Sequence, residues 1–143
     1  MTHPSPSNAA PIRVFLVDDQ TLVRQGIRSL LALAEGIEVV AEASDGRQAV
    51  EQIPQVAPDV VLMDMRMPVM SGLESLQAMS RAGILPPTII LTTFDDDALV
   101  LAGIKAGAKG YLLKDVSLEQ LVNAIQMVAA GGSLAAVAIA LFL

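Results

Sequence analysis

The sequence predicts an α/β three-layer sandwich built on a five-stranded parallel sheet, and three observations carry that expectation. Short apolar runs alternate with segments of helical period, the alternation recurs five times, and polar or acidic residues stand where the apolar runs end. A strand that is followed each time by a helix selects right-handed βαβ crossovers, which lay helices on both faces of a parallel sheet.

The elements follow in order. Residues 12–17 (IRVFLV) are apolar apart from Arg13 and form the first strand. The segment from Thr21 places Val23, Ile27, Leu30, Leu31 and Ala34 on one face, the spacing of a helix lying on a sheet. Residues 37–43 supply the second strand and residues 46–53 the next helix. Residues 60–63, 88–91 and 110–113 are the remaining strands, short and mostly rich in β-branched residues or Leu. Helices are expected over 72–82 and 97–106, and from Ser117, where Leu118, Leu121, Val122, Ile125 and Val128 share a face.

Composition bounds the function. A chain of 143 residues with no Pro/Ser/Gly-rich break after the first dozen suits one domain. Apolar residues at 53% and charged ones at 17% exclude disorder, except in the Pro-, Ser- and Asn-rich arm over residues 1–11. A net charge of −6 with no basic run argues against a grip on nucleic acid or on an anionic membrane by this segment itself. The absence of cysteine removes disulfide and thiol chemistry, and the N-terminus lacks the order of a signal peptide, so a cytoplasmic protein is expected.

In doubly wound folds the ligand sits beyond the carboxyl ends of the strands. There this chain carries Asp18 and Asp19 after the first strand, Asp64 after the third, Thr92 and Thr93 after the fourth and Lys114 after the fifth. Two carboxylates in close contact repel by roughly 4 kcal/mol at an effective dielectric of about 20, so a cation is expected among them. Oxygen ligands without His or Cys select a hard divalent ion, and Mg²⁺ leaves room for phosphate oxygens. Asp18 or Asp19 alone would read as a helix N-cap, and the convergence with Asp64 overturns that reading. The run Asp95, Asp96 and Asp97 precedes a helix whose positive dipole end favours carboxylates, so it stays outside the metal site. Met63, Met65, Met67 and Met70 are expected to fill gaps near the site, and His3 lies in the N-terminal arm.

The stretches VFLVDD, PDVVLMDMRMPVMSG, IILTT and AGAKGYLLKD, in this order and spacing, resemble the receiver domain of bacterial two-component response regulators. The resemblance covers residues 12–132, and ILTTFDDD and GYLLKD are similar to the subfamily with a C-terminal LuxR-type helix-turn-helix domain. It implies a flavodoxin-like sheet in the order 2-1-3-4-5. It further implies that Asp64 accepts a phosphoryl group from a sensor histidine kinase, with Mg²⁺ held by Asp18, Asp19, Asp64 and the backbone carbonyl of Arg66. Under it Thr92 is the hydroxyl switch, with Thr93 as competitor, Lys114 is the ammonium that meets the phosphoryl group, and Tyr111 is the aromatic that changes rotamer. Arg66 and Phe94 would flank the path of the hydrolytic water.

The chain departs from the family's pattern in two places. Lys114 is followed by Asp115 where many receivers carry proline. Residues 133–143 read SLAAVAIALFL, an apolar tail too short to span a bilayer, where such a regulator would continue into a basic DNA-binding domain. DNA is therefore expected to be reached only through an output domain absent from this chain. The segment 98–106 (ALVLAGIKA) has Lys105 as its only charge, so a helix there is apolar nearly all round, and it carries Gly103; with the tail it leads us to expect a homodimer.

Overall fold

Every strand is followed by a helix in the computed structural model, which describes residues 10–93 and 96–132. His3, Phe94, Asp95 and the apolar tail lie outside the described residues. The elements are β1 (Ile12–Val17), α1 (Thr21–Ala32), β2 (Ile37–Ala43), α2 (Gly46–Val56) and β3 (Val60–Asp64). They continue with α3 (Gly72–Arg81), β4 (Thr88–Thr92), α4 (Asp97–Lys105), β5 (Gly110–Leu113) and α5 (Leu118–Ala129). All strand pairs are parallel, in the order β2-β1-β3-β4-β5. Among the described residues no helix is long and apolar enough to cross a membrane.

The three layers follow from the two-residue period of a strand, which sends alternate side chains to opposite faces. Val14 and Leu16 of β1, Val60 and Leu62 of β3, and Ile89 and Leu91 of β4 meet Leu31 of α1 and Leu121, Ile125 and Val128 of α5. Phe15, Val17, Val61 and Met63 point the other way, onto Ala49 and Ile53 of α2 and Met79 of α3. Met65, Leu76, Ile90 and Ala108 make a smaller cluster between α3 and α4. Both β3 and β4 are buried along their whole length, and each such Val, Leu or Ile contributes about 1.5–3 kcal/mol.

The strands that carry the site are one residue longer than the apolar pattern predicts, because Asp64 and Thr92 still pair in the ladder, with Leu91 and Leu113. Helix α2 also runs past residue 53 through Pro54, whose ring faces solvent, while Ile53 packs into the core. Ala57 then closes it in the left-handed region at φ 51°. Three helices begin with side-chain caps. Asp45 accepts from Gln48 N on α2, and Ser71–Glu74 and Ser117–Gln120 form reciprocal capping boxes on α3 and α5.

Two glycines set how closely the layers approach. Gly103 is buried against β4, where a Cβ would stand 2.4 Å from Ile90 Cδ1, so the residue that weakens α4 as a helix also seats it. Gly72 opens α3 directly beneath the site, and its N–H donates to the Met65 carbonyl at 3.0 Å. A Cβ on Gly72 would lie 2.0 Å from the Asp64 carbonyl oxygen and 2.8 Å from Met65 Cα, both backbone atoms that cannot turn aside. Gly72→Ala is therefore expected to destabilise the protein by about 2 kcal/mol through overpacking. Helix propensity alone predicts the opposite sign, a gain of about 1 kcal/mol. Urea unfolding of the two proteins checks this, and a variant as stable as the parent would contradict the packing.

Candidate functional site

The β-ladder delivers the acidic residues to one place. Asp18 follows β1 and keeps its N–H on the ladder through the Ala43 carbonyl at 3.2 Å, while Asp64 closes β3 next door. Lys114 follows β5 and extends the ladder from its N–H to the Thr92 carbonyl at 2.8 Å. One carboxylate oxygen from each of Asp18, Asp19 and Asp64 lies within 4.8 Å of the others. Asp18 and Asp64 are buried and Asp19 is exposed, so the cluster opens toward solvent on one side.

Lys114 supplies the internal counterion. Its Nζ lies 3.0 Å from Asp18 Oδ2 and 3.2 Å from Asp64 Oδ2. Burial opposes the charged ammonium, but the two carboxylates outweigh it and raise the Lys114 pKa. Burial, followed by the charge of Asp18, lifts Asp64 above the usual carboxylate value, and Lys114 pulls the other way. Three carboxylates face one ammonium, which leaves two negative charges uncompensated when all are ionised.

The two oxygens of Asp18 do different work. Oδ1 accepts from Gln20 N at 2.8 Å, a local turn ahead of α1 that uses half of the carboxylate, while α1 itself has Gln20 at its N-cap position and no side-chain cap. Oδ2 is fully buried and has no aligned hydrogen-bond donor beyond its ion pair with Lys114. An under-satisfied buried oxygen beside two further carboxylates is a donor set that fits a hard divalent cation. Arg24, one turn into α1, donates to the Asp18 main-chain carbonyl and pairs with Glu42 of β2 at 3.2 Å, which fixes the backbone of the acidic pair.

The remaining candidates occupy the neighbouring loops. The Arg66 N–H points to Asp64 Oδ1 at 3.4 Å, while its guanidinium places Nε and Nη2 on Asp96 Oδ1 at 2.9 and 2.6 Å. Thr92 is buried and donates to the Thr93 carbonyl at 3.1 Å, whereas the Thr93 side chain is exposed. Both hydroxyls reach Asp96 Oδ2 at 3.4 Å. The Arg66 hydrogen bond is the main reason the Asp96 carboxyl lies below its usual value. Tyr111 is half-buried against the α3/α4 cluster, where burial and then Asp97 push its hydroxyl upward. Met63 and Met65 are core residues and Met67 packs on the core, as gap-filling requires.

Sequence reasoning missed three supporting residues. Asp97 sits in the first turn of α4 as the dipole reading requires, but Asp96 is drawn into the Arg66 pair instead. Its signal was hidden in a run of three like residues. Arg24 shows only as one more polar position on α1, and Gly72 only as a helix-opening glycine.

An open acidic cluster with one ammonium thus stands at the carboxyl ends of a doubly wound parallel sheet, the place where such folds bind their ligands. The family model for the response regulator receiver domain matches residues 14–126, and the chain belongs to that family. It is 48% identical over 123 residues to the nitrate/nitrite response regulator protein NarP of Escherichia coli, covering 86% of this chain and 57% of that one. It is 42% identical over 121 residues to the transcriptional regulatory protein LnrK of Bacillus subtilis, covering 85% and 55%. Among solved structures, the signal receiver domain of the response regulator NarL from Mycobacterium tuberculosis superposes with a TM-score of 0.80 at 35% identity, over 86% of this chain and 99% of that one. The chain spans about half the length of the curated relatives it matches (55% and 57% for these two).

A raised Asp64 pKa means that folding favours the protonated acid, so its contribution to stability is present at acid pH and lost as pH rises through the folded value. In EDTA near neutral pH, Asp64→Asn is expected to be more stable than the parent by about 1 kcal/mol. The gap should close as the pH falls below the carboxylate range. Unfolding at the two pH values checks this, and an equal gap at both would contradict it.

Proposed function

We propose that the chain accepts a phosphoryl group from the phosphohistidine of a sensor kinase on Asp64, and catalyses both this transfer and the later hydrolysis itself. The observation that carries the reading is the single Lys114 ammonium held between Asp18 and Asp64. An Asp64 carboxylate oxygen forms the new bond to phosphorus, the phosphorus–nitrogen bond of the donor breaks, and the leaving imidazole keeps the electron pair.

Each residue then has one task. Asp18, Asp19, Asp64 and the Arg66 carbonyl would hold Mg²⁺, which when bound supplies charge neutralisation for the carboxylates and the phosphoryl oxygens. Lys114 remains on Asp64 and offers its ammonium to the incoming oxygens. The Thr92 hydroxyl turns from the Thr93 carbonyl to the phosphoryl group, and Tyr111 follows by changing rotamer in the α3/α4 cluster. Because its relatives include transcriptional regulatory proteins, we assign the output to DNA through a domain outside this chain. Self-association as a dimer fits the exposure of Leu101 on α4 at 57%.

Incubation with acetyl phosphate and Mg²⁺ is expected to label the parent stoichiometrically and Asp64→Ala not at all. Asp59→Ala, exposed at the opposite end of β3, should label normally. Label retained by Asp64→Ala would end the assignment. Millimolar Mg²⁺ should also raise the melting temperature of the parent by mass action, and not that of Asp18→Asn. Equal shifts in the two would place the ion elsewhere.

A further inference from the structure

Asp96 stands at the N-cap position of α4 yet caps nothing. Asp is among the best capping residues, and the equivalent side chains Asp45, Ser71 and Ser117 all bond the first turns of their helices. The 8%-exposed Asp96 instead has both oxygens occupied on the side of the acidic cluster, Oδ1 by Arg66 and Oδ2 by the hydroxyls of Thr92 and Thr93. Arg66 is anchored two residues after Asp64, so Asp96 ties the end of β3 to the start of α4. Thr92 has a single hydroxyl proton, already shared between the Thr93 carbonyl and Asp96.

We propose that Asp96 is a positioning residue with two settings: it holds Thr92 and Arg66 while Asp64 is unmodified, and it caps α4 once a phosphoryl group on Asp64 takes those donors. The inference rests on the phosphoacceptor reading of Asp64. A phosphoryl group adds negative charge and acceptor oxygens beside Arg66 and Thr92, and these oxygens compete with Asp96 for the same protons. Once released, the Asp96 carboxylate has the free N–H groups of the first turn of α4 as its nearest new partners. Helix α4 is suited to respond, because only Val100 and Gly103 of its residues are buried. The occupancy of Asp64 thereby reaches the surface through one carboxylate, with no repacking of the main core.

Beryllofluoride with Mg²⁺, a mimic of the phosphoryl group, tests this by calorimetric titration of the full chain. Asp96→Ala removes the competing acceptor and is expected to bind beryllofluoride about tenfold more tightly than the parent, near the lower end of the worth of a hydrogen bond to a charged group. Asp96→Ser, which keeps a capping hydroxyl and loses the carboxylate, should show the same gain and guards against a folding defect in the alanine variant. In an Arg66→Ala background the gain should shrink. In the parent, amide exchange at Ala98 and Leu99 should slow on beryllofluoride binding, and in Asp96→Ala it should not. Affinity that is unchanged or weaker in both Asp96 variants would overturn the proposal while leaving the phosphoacceptor reading intact, whatever their melting temperatures. Unaltered exchange at Ala98 and Leu99 in the parent would overturn the capping step. A parent that binds no beryllofluoride would overturn the phosphoacceptor reading and this inference together.

Discussion

The ion pairs from Lys114 to Asp18 and Asp64 are the constraint around which the rest of the domain is arranged. In the order β2-β1-β3-β4-β5, Lys114 leaves β5 and must reach past β4 to the ends of β3 and β1. At the usual strand spacing, β5 and β3 stand roughly 10 Å apart, a gap that calls for a long flexible cation facing short acids. The ammonium makes two buried carboxylates tolerable without neutralising all three acids. The excess negative charge leaves a donor set that suits a divalent cation.

The surrounding packing keeps those charges in register. Parallel pairing carries Asp64 and Thr92 to the same edge, and the Lys114 N–H extends the ladder by one more bond. Gly72 lets α3 begin against the Asp64 backbone, and Arg24 fastens the Asp18 main chain to α1 and β2. Neither Gly72 nor Arg24 brings chemistry of its own. They hold a raised Asp64 pKa and an under-satisfied Asp18 oxygen in place, local costs that the buried β1, β3 and β4 offset.

Much of this was legible in the sequence, because strand ends in a doubly wound fold are read from where apolar runs stop. Asp18, Asp64, Thr92 and Lys114 each interrupt such a run, and the fold brings Asp18, Asp64 and Lys114 into contact. Ends of elements were read less well. The apolar pattern stopped one residue short of Asp64 and Thr92, since a charged or hydroxyl side chain says nothing about the ladder bonds of its backbone. The extension of α2 through Pro54 depends on which way the ring faces, and that is a tertiary property. Asp96 was read by its nearest feature, the helix dipole, whereas its partner Arg66 lies thirty positions away in sequence. Gly103 was read as a weakness of α4, and its clearance to Ile90 appears only once α4 is laid on β4.

The central claim is that the acid at the end of β3 is the group that becomes modified. Borohydride reduction after exposure to acetyl phosphate and Mg²⁺ converts an aspartyl phosphate to homoserine, and peptide mass spectrometry locates it. The account predicts homoserine at position 64 alone, in the peptide that carries VVLMDMR. Homoserine at position 18 or 19, or none in protein that has taken up label, would contradict it.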